Sequence, residues 1–127
     1  ATALDRAEWE GASVYLRSDV TYAFRGKRIS GRKSVMSMYR SSAEWAERAL
    51  DHVAYTHEIV EVDDNVVRVR FTDAIKHDGQ RHAHESEQLF EVNVDREQIT
   101  HVTHIDLPGA QAGLDSFFDD VGIDPDE

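Results

Sequence analysis

The hydrophobic positions change period twice along the chain. Leu4, Ala7, Ala12, Tyr15 and Leu16 recur near helical spacing around Trp9, and Gly11 divides that run into two short helices. Asp19 to Phe24 alternates like a strand, and Arg25 to Ser30 reads as a basic turn. Ser30 is placed to cap a long helix from about Gly31 to Leu50. Val35, Met38, Tyr39, Ser42, Ala46, Ala49 and Leu50 form its apolar stripe, with Arg40, Glu44, Glu47 and Arg48 on the solvated side. After the helix the period becomes two. His52 to Val62 places Val53, Tyr55, His57 and Ile59 on one face, and Asp63-Asp64-Asn65 makes a hairpin turn. Val66 to His77 sets Val67, Val69, Phe71, Asp73 and Ile75 opposite Arg68, Arg70, Thr72 and Lys76. Turns follow at His77 to Gln80 and at Asp95 to Glu97. A last strand, Gln98 to Leu107, is stopped by Pro108-Gly109. Leu114, Phe117, Phe118 and Val121 then predict a short amphipathic helix, with residues 124–127 fraying.

The strand from Arg81 to Val94 organises the rest. One face carries His82, His84, Ser86, Gln88, Phe90, Val92 and Val94, and the other carries Ala83, Glu85, Glu87, Leu89, Glu91 and Asn93. The second face is mostly acidic. The first is polar at its start and apolar towards its end, so it can be half pocket wall and half core.

Helices first and hairpin-linked strands afterwards predict an α+β fold in which a curved antiparallel sheet wraps a long helix as a cone with an open end. The 127 residues suffice for one domain, 1–127, and show no linker, repeat or low-complexity segment. The absence of cysteine excludes disulfide and thiolate chemistry. No apolar run approaches the roughly 18 residues of a membrane span, and no charged-then-apolar leader opens the sequence. The expected setting is the cytoplasm, with no membrane partner. A net charge of -11, with 25 acids against 14 bases, argues against a nucleic-acid partner.

Four residues are candidate proton carriers or their partners: His84, His57, Asp73 and Asp106. His84 and His57 fall on faces expected to be buried, where a neutral imidazole can pass protons near neutral pH or serve as a hydrogen-bonded core residue. Asp73 is a carboxylate on an apolar face, so it needs a partner, a wet pocket or a strand end that reaches solvent. Asp106 ends the last strand, as a catalytic group at a cone mouth or as a cap on the Pro-Gly stop. Tyr22, Tyr55, Phe71, Phe90 and His82 are the candidate substrate contacts, with Tyr22 also a possible donor to a carbonyl oxygen. His82 and His84 point the same way, yet a glutamine, Gln88, stands where a third metal ligand would be expected. The reading therefore includes no metal and no cofactor.

Several stretches together resemble the nuclear transport factor 2-like superfamily, especially its SnoaL-like polyketide cyclase branch. They are Ala3 to Trp9, Asp19 to Phe24, Gly31 to Tyr39, Asp78-Gly79, Gln88 to Val92, Ile99 to Asp106 and Phe117 to Ile123. The resemblance implies the cone-shaped, cystatin-like fold and a cofactor-independent cyclase, isomerase or dehydratase acting on an apolar carbonyl substrate. Apart from the resemblance, Glu85, Glu87 and Glu91 are placed to face Arg68 and Arg70 either within a subunit or across a two-fold axis, and a homodimer is the expected assembly. Asp106 is similar to the catalytic aspartate that ends the last strand of the cyclases. Phe24 stands where the ketosteroid isomerases carry their general base. Tyr55-Thr56-His57 and His82 to Ser86 resemble the pocket histidine motifs of scytalone dehydratases, although the aspartate of that family falls near Thr2. The alternative implied by the same fold is a ligand-binding or dimeric assembly module without chemistry.

Overall fold

A computed structural model describes residues 9–124; the expected helical segment over Leu4 and Ala7 and the end of the tail lie outside them. The elements are α1 (Trp9–Ser13), β1 (Leu16–Phe24), β2 (Lys27–Ser30), α2 (Arg32–Ala49), β3 (His52–Asp63), β4 (Val66–His77), β5 (Gln80–Asn93), β6 (Gln98–Asp106) and α3 (Ala110–Val121). The six strands form one sheet in the order β2-β1-β6-β5-β4-β3. Neighbours pair antiparallel except β1 and β6, which run parallel. β3 to β6 follow one another as hairpins, so the meander grows away from β3 until its last strand meets β1 alongside.

Three local expectations are corrected. Tyr15 and Leu16 do not continue a helix, because β1 begins at Leu16 and buries it beside Val20 and Tyr22. Arg25 to Ser30 is not all turn: Arg25-Gly26 is the reversal, and Lys27 to Ser30 form β2 against β1. Ser30 does not cap α2. The cap is Gly31, whose backbone at φ 95 is disfavoured for any residue with a Cβ. Its N–H donates to the Val20 carbonyl at 2.8 Å, which ties the start of α2 to β1. The turn between β4 and β5 follows its sequence closely. Asp78 and Gly79 both take positive φ, the geometry that a two-residue hairpin reversal demands.

Side chains fill the cone from two ends. Leu16, Val20, Tyr22, Val35, Val69, Phe90 and Val102 form one apolar cluster between α2 and the sheet. Val20, Val35 and Val102 are fully enclosed there. Burying each contributes about 1.5–3 kcal/mol relative to leaving it in water. Ala46, Leu50, Ile75, Phe117 and Phe118 form a second cluster, in which α3 closes over the far end of the sheet. Between the two lies a cavity.

On the outer sheet face Glu87 of β5 meets Arg68 and Arg70 of β4 within one chain. Glu87 is only 4% exposed. Arg68 Nη1 donates to its Oε1 at 2.8 Å, and Arg70 Nε and Nη2 donate to its Oε2 at 3.1 and 2.8 Å. Two guanidinium groups rather than hydrocarbon cover the carboxylate. Their hydrogen bonds hold its pKa below the usual range despite the enclosure.

Candidate functional site

A cavity of about 300 Å³ lies between α2, the inner sheet face and α3. Each wall follows from local sequence. The stripe of α2 contributes Met38, Tyr39, Ser42, Ala43, Trp45 and Ala46, with Leu50 just beyond the helix. Inward-pointing alternate residues contribute Val53 and Tyr55 from β3, Phe71, Asp73 and Ile75 from β4, and His84, Ser86 and Gln88 from β5. Tyr22 of β1, His104 of β6, and Leu114 and Phe118 of α3 complete the lining.

Strand register sets the polar groups in rows. Asp73 lies directly opposite both Tyr55 and His84, so those three side chains share one row across β3, β4 and β5. The next row contains Phe71, Ser86 and Asp106, and the one after it Val69, Gln88 and His104. Asp73 is therefore half-buried in the cavity wall, with the buried Ile75 beyond it, rather than at a frayed strand end.

His104 enters through an irregularity that alternation alone did not show. β5 and β6 pair Glu91 with His101 but Val92 with Ile99, so one extra residue, Thr100, bulges out. His101 consequently lies on the outer face, hydrogen-bonded to Thr21, while His104 turns into the cavity. Its Nε2 lies 3.1 Å from Asp106 Oδ1. Asp106 is in turn gripped by Arg25, Nε to Oδ2 at 2.7 Å and Nη2 to Oδ1 at 3.0 Å, and the same Nη2 donates to Gln111 Oε1 at 2.7 Å. The Arg25 hydrogen bonds, aided by His104, hold Asp106 down at about 2. A carboxylate so stabilised can only accept, which places the imidazole proton on Nε2 and leaves Nδ1 as a lone pair. His104 Nδ1 is buried and has no hydrogen-bond partner among the described residues.

His84 Nδ1 is in the same condition. Burial lowers the His84 pKa, partly opposed by a hydrogen bond with the Ala110 backbone at the start of α3. The ring is thereby biased towards the neutral form.

A second polar chain crosses the cavity wall. Tyr39 Oη donates to Gln88 Oε1 at 2.8 Å, and Gln88 Nε2 donates to Tyr22 Oη at 3.2 Å. Gln88 is 6% exposed and satisfied at both ends of its amide. Burial, reinforced by the charge on Asp106, pushes the Tyr22 pKa up to about 12. Burial and then Asp73 do the same to Tyr55. Both phenols are protonated at neutral pH.

Of the residues singled out by sequence, Tyr22, Tyr55, Phe71, Asp73 and His84 line the cavity. The others lie elsewhere. Asp106 stands behind His104, with its carboxylate engaged by Arg25. Phe90 is in the first apolar cluster, its ring centroid 6.3 Å from that of Phe71. His82 stacks on Phe117 at 5.3 Å and lies beside Gly113 of α3. His57 shares the Tyr55 face but lies further along β3, its ring 6.4 Å from Phe71 and outside the cavity lining. Among the described residues, no group of three or more His, Asp or Glu is arranged to hold a metal ion. The residues not anticipated are Arg25, Trp45 and Gln111; which of His101 and His104 faces inward turns on a single bulge in the last strand, and Thr100 supplies it. Nothing in the local pattern marks Arg25 and Gln111 as neighbours, because the contact joins residues 86 positions apart.

No protein-family profile matches the chain. No curated protein matches it closely in sequence. Solved structures do match in shape. An assigned SnoaL-like polyketide cyclase from Shewanella denitrificans is 13% identical, with 91% of this chain and 90% of that one covered at a TM-score of 0.68. An LEH-like epoxide hydrolase from M. tuberculosis is 22% identical, with coverages of 94% and 89% and a TM-score of 0.58. A de novo designed protein with a curved β-sheet is 21% identical, with coverages of 90% and 84% and a TM-score of 0.59. At these identities the likeness is one of architecture, and with the curved six-stranded sheet and enclosed helix it gives this chain the α+β cone fold of nuclear transport factor 2-like proteins, SnoaL-like structures among them.

Proposed function

We propose that this protein is a small-molecule enzyme performing cofactor-independent acid-base chemistry on an apolar carbonyl compound held in the cone. The observation that carries this reading is the chain Arg25–Asp106–His104, ending in a buried imidazole nitrogen with no partner in the cavity wall. His104 Nδ1 takes a proton from the carbon next to the carbonyl, and the C–H electron pair becomes the enolate double bond as charge moves to oxygen. Tyr22, protonated and inward-facing, donates to that oxygen. The imidazolium returns the proton at another carbon, with His84 as a second carrier. Asp106 orients His104 and stabilises its charged form rather than acting as the base, because a carboxylate already bound by Arg25 binds protons weakly. Tyr55 and Phe71 contact the substrate body. A cyclase, isomerase or dehydratase outcome depends on what the enolate next encounters.

The test is proton exchange with solvent. A panel of apolar ketones is incubated with the protein in deuterium oxide, and loss of the signal from protons next to the carbonyl is followed by NMR. Exchange faster than with free imidazole, abolished in His104→Gln with the fold retained by circular dichroism, is the expected result. No exchange with any ketone, or undiminished exchange in the variant, would overturn the proposal. The rival reading is a ligand-holding or dimeric assembly module without chemistry. A de novo designed protein with a curved β-sheet has a similar shape, so the fold by itself does not imply chemistry. Saturable ligand binding without exchange would favour the rival reading.

A further inference from the structure

The direction of each hydrogen bond around the cavity restricts what can occupy it. Gln88 Oε1 is taken by Tyr39, so its amide can only donate to Tyr22. The Tyr22 oxygen accepts that bond, leaving its own proton to be given away. Nearby, the Tyr22 and His104 rings lie 6.5 Å apart between centroids with their planes 32° from one another. The His104 nitrogen without a partner is an acceptor, because Asp106 fixes the proton on the other one. His84 Nδ1 adds a second unpartnered acceptor. No lysine or arginine is among the residues that line the cavity, and Asp73 is part of its wall. The chain as a whole carries a net charge of -11.

A ligand anion would therefore meet two lone pairs and a carboxylate, with neutral hydroxyl and indole donors but no cationic side chain to balance its charge. An uncharged hydroxyl on an unsaturated carbon meets the opposite situation, since one oxygen can accept from Tyr22 and donate to His104. We infer that the cavity takes uncharged apolar enols or phenols, gripped at one oxygen between the Tyr22 hydroxyl and His104 Nδ1, and rejects carboxylates of the same shape. The apolar lining from Trp45, Leu50, Val53, Leu114 and Phe118 receives the body of the molecule. A volume of about 300 Å³ is at the small end for ligand pockets, which suits one or two fused rings. This inference rests on the reading of the cavity as the ligand site. It adds the charge state and polar group of what binds, independently of whether turnover follows.

Three probes with one ring system separate the possibilities: β-naphthol, β-naphthoate and naphthalene. Binding is followed by ligand fluorescence at a pH above the imidazole range and below that at which naphthol ionises. Wild-type protein should bind naphthol more tightly than naphthalene, and naphthoate about tenfold more weakly than naphthol or not at all. Tyr22→Phe should weaken naphthol about 5–10-fold, the loss of one hydrogen bond, and leave naphthalene unchanged. Gln88→Leu should weaken naphthol too, because the Tyr22 proton loses its enforced direction. Naphthoate binding as tightly as naphthol overturns the inference while leaving an acid-base enzyme possible on other substrates. Equal losses for naphthol and naphthalene in Tyr22→Phe overturn the polar grip. If none of the three probes binds, both this inference and the assignment of the cavity as a ligand site fall.

Discussion

Replacing Asp106 with Asn removes a negative charge that Arg25 and His104 both engage, and its consequences can be worked through. Hydrogen bonds from Arg25 hold the carboxyl at about 2, against an ordinary 3.8. Taken at face value, that depression corresponds to about 2.4 kcal/mol of folding stability. Side-chain exposures of 51% for Arg25 and 31% for Asp106 let water screen the pair. About 1 kcal/mol is the better expectation. Because the folded value lies below the unfolded one, this contribution is complete above about pH 4 and disappears as pH falls through about 2. Urea unfolding of wild type and Asp106→Asn should therefore show a gap of about 1 kcal/mol at neutral pH that closes in acid. The substitution also frees His104. An amide can present either its oxygen or its NH₂ to Nε2, so the imidazole proton is no longer confined to one nitrogen. Exchange activity should fall by about 10²–10⁴-fold, the usual scale of general-base assistance. A stability gap that stays constant from neutral pH into acid would refute the electrostatic argument. Undiminished activity would refute the role given to Asp106.

Three further outcomes follow from geometry already described. Gly31→Ala meets no neighbouring atom, so its effect is backbone strain alone at φ 95; a loss of about 1 kcal/mol is expected in thermal unfolding. Phe117→Ala removes the ring that stacks on His82 and packs beside Phe118. It should cost about 3 kcal/mol in urea unfolding and increase hydrogen exchange in α3 before the sheet. Burial lowers the His84 pKa from 6.5, so as pH falls below about 6.5 the unfolded chain takes up a proton that the folded site resists. Stability should decline in that window, and His84→Asn should flatten the decline in a series of urea titrations.

Much of the fold is legible in the sequence because period-two alternation and turn chemistry are local signals. Asp78-Gly79, the inward set of β4, and His84, Ser86 and Gln88 all fall where their neighbours place them. The site is less legible because it depends on contacts no local pattern encodes. One bulged residue, Thr100, decides that His104 rather than His101 faces inward. Arg25 sits in a turn, and only the parallel pairing of β1 with β6 brings it to Asp106. His57 obeys its alternation, but position along an edge strand, which the face alone does not give, keeps it out of the cavity. Glu87 shows the converse: its alternation is right, and burial arises because two arginines on the neighbouring strand converge on it.

The outer half of β3 runs beyond the core, leaving Ile59 and Val62 63% and 65% exposed on a strand with one edge unpaired among the described residues. Such an edge is a template on which another polypeptide could extend the sheet, the starting step of aggregation. Glu58, Glu61 and Asp63 lie along it, and the register shift between Ile59 and Glu61 interrupts its flatness. Two molecules meeting there would bring like carboxylates together on a kinked surface. Glu61 is also paired with Arg68 at 3.7 Å, so Glu58 and Asp63 carry most of that repulsion, and neutralising them should make the overhang more prone to aggregate.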